Sequence, residues 1–346
     1  MTNINSLPQL GWQAFFQQQL TLDEWEHFTL ARVIAQERSI IHLLSPETKL
    51  SLPVTPGMPV MTVGDWVVLD SAGKFHRLLD RLSLFSRKAA GTKVTTQLIA
   101  ANINTLFVVC SMNQDFNLNR IERYLALANE ADVEPVVVLS KADVCDHPQE
   151  YAQRVQRLDP LLNVVMVNSL DPDSVGQLEA WCRAGNTVAL LGSSGVGKST
   201  IINTLSGKTI QRTDAIREDD DKGRHTTTGR SLHLLSAGGL LLDTPGMREI
   251  QLADCEHGIE ETFAEISELA SQCKFSDCQH QAEPGCAVRA AIDAGSLDER
   301  RLTSYLKLMK EQAFNKATLA EKRARDRDLG RYYRSVQAAK RQQNKD

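Results

Sequence analysis

Gly192-Ser193-Ser194-Gly195-Val196-Gly197-Lys198-Ser199-Thr200 follows directly on the apolar run Thr187-Val188-Ala189-Leu190-Leu191. A buried strand that turns through glycines into a helix, with Ile201, Ile202 and Leu205 at helical spacing, is the P-loop arrangement. Glycines let backbone N–H groups converge on phosphate oxygens, and the following helix presents the positive end of its dipole to them. Lys198 is then expected to reach the β and γ phosphates, Ser199 to place its hydroxyl on Mg²⁺, and Thr200 to contact the α phosphate. This stretch sets the expectation of an α/β chain built on a parallel sheet with helices on both faces, and of a bound nucleoside triphosphate.

About forty residues on, Gly238-Gly239-Leu240-Leu241-Leu242-Asp243-Thr244-Pro245-Gly246 reads as a second buried strand ending in Asp-x-x-Gly. Alone it would be a plain turn. After a P-loop it is the position at which Asp243 supports Mg²⁺ and the Gly246 N–H senses the γ phosphate. Between the two lies Gly223-Arg224-His225-Thr226-Thr227-Thr228, preceded by the acidic run 218–221. It is a candidate switch, with Thr226 or Thr227 closing on the metal.

Base selection is expected upstream. Val136-Val137-Val138-Leu139 is a strand that ends in Ser140-Lys141-Ala142-Asp143, a variant of Asn-Lys-x-Asp. The Asp143 carboxylate accepts from the N1–H and N2–H₂ of guanine, which adenine lacks, while the Lys141 stem packs along the base. Ser140 stands where asparagine is usual and reaches less far, so a looser tie to the P-loop and weaker nucleotide affinity are expected. A further strand, Val164–Val167, followed by Asn168-Ser169-Leu170, can offer a backbone contact to guanine O6. The order is base loop, P-loop, switch, Asp-x-x-Gly. Ordinary GTPases place the base loop last, so the chain reads as a circular permutation of the same sheet.

Cys273-x4-Cys278-x-His280-x5-Cys286 brings three thiolates and an imidazole into fourteen residues. That donor set suits tetrahedral Zn²⁺, and four protein ligands leave no open position, so a structural ion is expected. Cys255 and His257 are a nearby rival pair. Cys110, Cys145 and Cys182 stand alone and read as packing residues. The chain has 346 residues, 42% hydrophobic and 24% charged, with a net charge of −4. It carries no apolar run near the roughly 20 residues of a membrane span and no signal-peptide pattern after Met1, so a cytoplasmic protein without a membrane partner is expected. The acidic total hides a basic end: from Arg300 onward Lys and Arg outnumber acids by about fourteen to five. Such an end is either an RNA-phosphate contact or a solvated tail.

The permuted order, the Gly-Arg-His-Thr-Thr-Thr segment, Asp243-Thr-Pro-Gly246 and the cysteine cluster together resemble the RsgA (YjeQ) family of ribosome-small-subunit-dependent GTPases, over about residues 31 to 333. The resemblance implies a GTPase that assists late maturation of the small ribosomal subunit, is stimulated by that subunit and binds its rRNA. It also implies three parts: an N-terminal OB-type β-barrel, a central permuted GTPase and a C-terminal zinc-binding helical domain. Short β-rich runs broken by Pro53, Pro56-Gly57 and Gly64 agree with the barrel. Arg77, Arg81, Arg87 and Lys88 near its end are either a solvated face or an RNA contact. The expected division is 1–30 leader, 31–90 barrel, 91–255 GTPase and 256–346 zinc domain with basic tail, in a monomer. The leader, from Gly11-Trp12 to Trp25, is a departure from the family's usual N-terminus, and Ser140 is a second departure, in the base loop.

Met247 stands where many GTPases carry a water-orienting glutamine, and a thioether cannot hold water. His225 is the candidate replacement, acting with Lys198 and Asp243. The chain beyond Gly246 is expected to run through one helix, about 258 to 272, into the cysteine segment. Two other readings stay open: a GTP-gated RNA-binding protein with negligible turnover, and a P-loop ATPase or kinase acting on a metabolite, against which Asp143 argues.

Overall fold

Strand β1 (Thr29–Gln36) is the first long element of the chain, and it pairs on both sides with antiparallel neighbours. With β2 (Ile40–Leu44), β3 (Lys49–Pro53), β4 (Trp66–Leu69) and β5 (Phe75–Leu78) it forms a curled five-stranded sheet in the order β3-β2-β1-β4-β5, an OB-like unit. The computed structural model describes residues 6–37, 39–88, 96–207, 231–243 and 255–316.

Successive strand residues face opposite sides of a sheet, and β4 is buried on both. Val67 and Leu69 join Val33, Ile41 and Leu43 inside the curl. Trp66 and Val68 face outward, where Leu10, Trp12 and Phe16 cover them. The segment before the barrel is therefore a lid on its second face. Its helices α1 (Ala14–Gln17) and α2 (Leu22–His27) hold that lid, with the Trp12 ring edge-on to Trp66 at 4.8 Å. Glu24 in α2 closes a capping box with Thr21 and also takes a two-point ion pair from Arg77, with Nε to Oε1 at 2.6 Å and a terminal nitrogen to Oε2 at 3.0 Å. Arg81 makes the same kind of pair with buried Asp65. Two of the four basic side chains considered for RNA contact are thus neutralised within the barrel.

The hairpin of β6 (Leu84–Lys88) and β7 (Thr96–Ala101) leads to the central sheet. That sheet runs β10-β9-β8-β11-β13-β12, from β8 (Thr105–Ser111), β9 (Glu134–Ser140), β10 (Asn163–Val167), β11 (Thr187–Gly192), β12 (Ser231–Leu234) and β13 (Leu240–Asp243). All pairings are parallel except β12 with β13. The helices between them are α3 (Leu118–Glu130), α4 (Pro148–Gln156), α5 (Pro172–Gly176) and α6 (Lys198–Ser206). Near-continuous Val/Leu runs in β8 and β9 are buried throughout, as a sheet covered on both faces requires.

Arg32 of β1 joins the two sheets. Its guanidinium is fully buried and donates to the carbonyls of Leu10, Gly64 and Asn102 and to the Thr187 hydroxyl at 2.6 to 3.1 Å. Burial, opposed by the field of Asp65, pulls its pKa down to about 9. A Cβ on Gly11, which has φ +82°, would lie 2.1 Å from that guanidinium. Gly11 is required there on both grounds.

Four further helices complete the described chain: α7 (Glu256–Thr262), α8 (Ala264–Ala270), α9 (Ala287–Asp293) and α10 (Glu299–Lys316). The single helix expected over 258–272 is two, broken at Phe263 (φ −121°, ψ 41°). The break buries the Phe263 ring under the Arg301 guanidinium, 4.5 Å from its centroid, and against Tyr305. Buried Glu122 of α3 accepts from Arg300 and Arg301, and Arg123 pairs with Glu311. Two of the cations counted in the basic end therefore fasten α10 to α3. Gly258 of α7 sits so close to α3 that a Cβ would lie 2.1 Å from the Ala126 oxygen.

The Arg77 hydrogen bond and charge outweigh burial and hold the Glu24 carboxyl down to about 2. A depressed acid stabilises the fold above its unfolded value of 4.5 and loses that contribution as pH falls toward 2. Glu24→Gln should therefore lower the thermal midpoint at pH 7, and the gap to wild type should close between pH 4.5 and 2, read by tryptophan fluorescence.

Candidate nucleotide site and metal centre

A parallel sheet gathers the carboxyl ends of its strands along one edge, which is where ligands bind in open α/β folds. Here that edge collects Ser140 at the end of β9, Asn168-Ser169 after β10, Gly192 at the end of β11 and Asp243 at the end of β13. Residues scattered over more than a hundred positions of sequence become neighbours because β8 and β11 stand side by side in the middle of the sheet.

The P-loop leaves β11 where the backbone passes tightly over β8: a Cβ on Gly192 would lie 2.3 Å from the Val109 oxygen. Gly195 (φ +77°) and Gly197 (φ +91°) take left-handed conformations that turn the chain into α6. The N-cap of this helix, Gly197, has no side chain to occupy the N–H groups of the first turn, the groups that bind an anion at a helix start. Ser194 and Gly195 are exposed, Val196 is buried, and Ser193, Ser199 and Thr200 are half-buried at the rim. The Lys198 ammonium is buried over the loop, donating to the Gly192 oxygen at 2.8 Å and to the Ser193 oxygen.

Ser140, expected to make a weaker tie than asparagine, reaches the P-loop directly. Its hydroxyl donates to the Val196 carbonyl at 2.7 Å, and the residue is fully buried. Lys141 follows with φ +63°, and a single helical turn over Ala142–Val144 leaves the Asp143 carboxylate exposed. The loop after β10 closes the other side. Asn168 accepts from the Leu170 N–H at 3.0 Å, and a Cβ on Gly197 would lie 3.0 Å from the Ser169 hydroxyl. Base loop and P-loop are therefore one packed unit. His225, Thr226, Thr227 and Gly246 lie outside the described residues, as do Tyr332 and Tyr333 of the basic end.

Cys273, Cys278, His280 and Cys286 meet at one point, their ligand atoms all within 4.8 Å of one another. His280 Nδ1 lies 3.7 Å from the Cys273 sulfur and 3.6 Å from the Cys286 sulfur, and the two sulfurs are 3.9 Å apart. A tetrahedral ion with bonds of about 2.3 Å to sulfur and about 2.0 Å to nitrogen has edges of roughly 3.5 to 3.8 Å, so the donor set fits. Cys286 caps α9 and accepts from the Arg289 N–H at 3.4 Å. Burial opposes ionisation of Cys273, but the N–H groups of Val288 and Ala287 and the neighbouring thiols outweigh it and lower its pKa. The rival pair stays outside the cluster: Cys255 is buried against α3, donating to the Ala126 oxygen, with its pKa pushed up to about 12, and His257 is exposed beside Glu261. Cys110 and Cys182 are buried, as packing residues should be.

Known proteins share this architecture. A family model described as RsgA GTPase matches residues 78–253. The small ribosomal subunit biogenesis GTPase RsgA 2 of Vibrio parahaemolyticus is 61% identical over 337 residues, covering 97% of this chain and 94% of its own length. The small ribosomal subunit biogenesis GTPase RsgA of Mesorhizobium japonicum is 47% identical over 316 residues, covering 90% and 91%. In fold, the chain is similar to YjeQ from Thermotoga maritima, with a TM-score of 0.61, 23% identity and coverage of 82% and 98%. It is likewise similar to YloQ, a circularly permuted GTPase, with a TM-score of 0.58, 22% identity and coverage of 84% and 97%. With the permuted sheet, the joined loops and identity along nearly its whole length, this chain belongs to the RsgA GTPase family.

Proposed function

We propose that this chain binds GTP with Mg²⁺ at the carboxyl edge of its parallel sheet and hydrolyses it as a biogenesis factor of the small ribosomal subunit, which accelerates the reaction. The observation that carries the reading is the Ser140–Val196 hydrogen bond, which joins a guanine-type base loop to a P-loop in a member of this family. Asp143 selects guanine, with Ser140, Lys141 and Ala142 shaping its loop. The N–H groups from Gly192 to Thr200 cradle the phosphates, and Lys198 exchanges the Gly192 and Ser193 carbonyls for β and γ oxygens. Ser199 and Asp243 would hold Mg²⁺, which supplies neutralising charge between those phosphates. Thr226, Thr227 and Gly246 complete the site from the switch segments, and His225 orients the attacking water.

The Cys273, Cys278, His280, Cys286 cluster is assigned to one structural Zn²⁺ by its soft donors and closed ligand set. The division into leader, barrel, GTPase and zinc domain at 30, 90 and 255 follows the same reading, as do an rRNA-bearing partner, a monomeric chain and a cytoplasmic place of action. Among the described residues, no helix is long and apolar enough to cross a membrane.

Three measurements test this. GTP hydrolysis should rise strongly with added small subunits and not with large subunits, and ATP should not substitute; a flat rate with intact GTP binding would make the chain a nucleotide-gated binding protein instead. His225→Ala should lower the stimulated rate by roughly 100-fold while leaving the GTP dissociation constant unchanged. Ser140→Ala should weaken GTP and GDP binding alike by about fivefold to tenfold, near 1 kcal/mol, because the Val196 carbonyl loses its donor.

A further inference from the structure

The loop that carries three of the four clustered ligands has little regular structure of its own. Between Cys278 and Cys286 it must bring two sulfurs and an imidazole to one point, and it does so with His280 at φ +59°, a left-handed conformation that residues with side chains rarely adopt. Gly285 (φ +80°) turns the chain back, and its carbonyl accepts from the Lys274 N–H at 3.1 Å, tying the fourth ligand's neighbour to the first ligand's.

A backbone folded this way points several N–H groups toward the inside of the turn. Three of them converge on one carboxylate. Glu283 Oε1 accepts from the Gln279 N–H at 2.8 Å, and Oε2 accepts from the Gln281 N–H at 2.8 Å and the Ala282 N–H at 3.0 Å. The Gln279 N–H belongs to the peptide that leaves Cys278 and the Gln281 N–H to the peptide that leaves His280, so the same carboxylate grips the chain just after two of the clustered ligands. The Glu283 carbonyl also accepts from the Cys286 N–H at 3.3 Å. Glu283 does not itself belong to the metal-binding group.

Resting on the assignment of a metal to this cluster, we propose that Glu283 is the positioning residue of the site: an internal anion that folds the 278–286 loop into its ligand geometry, so that the metal meets preassembled donors. The physical gain is preorganisation. A loop already held in place loses less conformational freedom when the metal binds, and groups behind the ligands tune affinity through their orientation.

The test is a chelator competition for Zn²⁺ on the full chain, with GTP binding as the control for an intact nucleotide domain. Glu283→Ala should weaken zinc affinity by about 10- to 100-fold. Glu283→Gln, whose amide oxygen can still accept from Gln281 and Ala282, should fall between Glu283→Ala and wild type. In the metal-stripped protein, amide hydrogen exchange at Gln279, Gln281 and Ala282 should be faster in Glu283→Ala than in wild type, which a metal-imposed loop would not produce. Wild-type protein that holds zinc while Glu283→Ala binds it within twofold overturns the role of Glu283 alone. Wild-type protein that holds no zinc overturns the metal assignment and this proposal with it.

Discussion

A bound nucleotide has to be reached from several loops at once, and in this molecule the constraint is met by parallel strand pairing. Parallel neighbours end at the same edge of the sheet whatever order the chain visits them. The base loop can therefore precede the P-loop by half a hundred residues and still pack against it, because β9, β8 and β11 are consecutive in space. The Ser140 hydrogen bond to Val196 is the point at which that geometry becomes a single recognition unit. Permutation moves the connections and leaves the edge intact.

Much of this was legible in residue types. Gly192 to Thr200, Asp243 and the four clustered ligands fall where their spacing says they should, since glycine turns and soft metal donors are local signals. What the sequence could not convey is long-range. Arg32 looks like a surface strand residue until Leu10, Gly64, Asn102 and Thr187 surround it. Arg77 and Arg81 look available to phosphate until Glu24 and Asp65 take them. The break at Phe263 has no proline or glycine to announce it, and what accompanies it is tertiary: the ring is buried beneath the Arg301 guanidinium and against Tyr305. Ser140 is shorter than the asparagine usual at its position, and only the fold shows how near the Val196 carbonyl comes to it. Local chemistry writes motifs, while tertiary partners decide which charges remain free.

The amino-terminal segment shows the same lesson in packing terms. Its aromatic residues carry none of the nucleotide or metal motifs, yet the alternation of Trp66-Val67-Val68-Leu69 already implies a strand with two apolar faces. One face lines the barrel and the other needs a cover, which Leu10, Trp12 and Phe16 provide. That cover also contacts the start of β11: Gln13 donates to the Gly185 oxygen at 2.7 Å, and the Gly185 N–H donates to the Pro8 oxygen at 2.8 Å. The strand that ends in the P-loop thus begins against the lid of the barrel.

Helix α10 is held to α3 at two places, by Arg300 and Arg301 on Glu122 near its start and by Glu311 on Arg123 ten residues later. A rod pinned once can swing, whereas a rod pinned twice takes its bearing from what it is pinned to. Ten residues of helix span about 15 Å, a baseline long enough to fix that bearing. α10 therefore acts as a splint laid along α3 of the nucleotide-binding body, and because Glu299 at its start also pairs with Arg289 of α9, the same splint carries that bearing to the helix capped by Cys286.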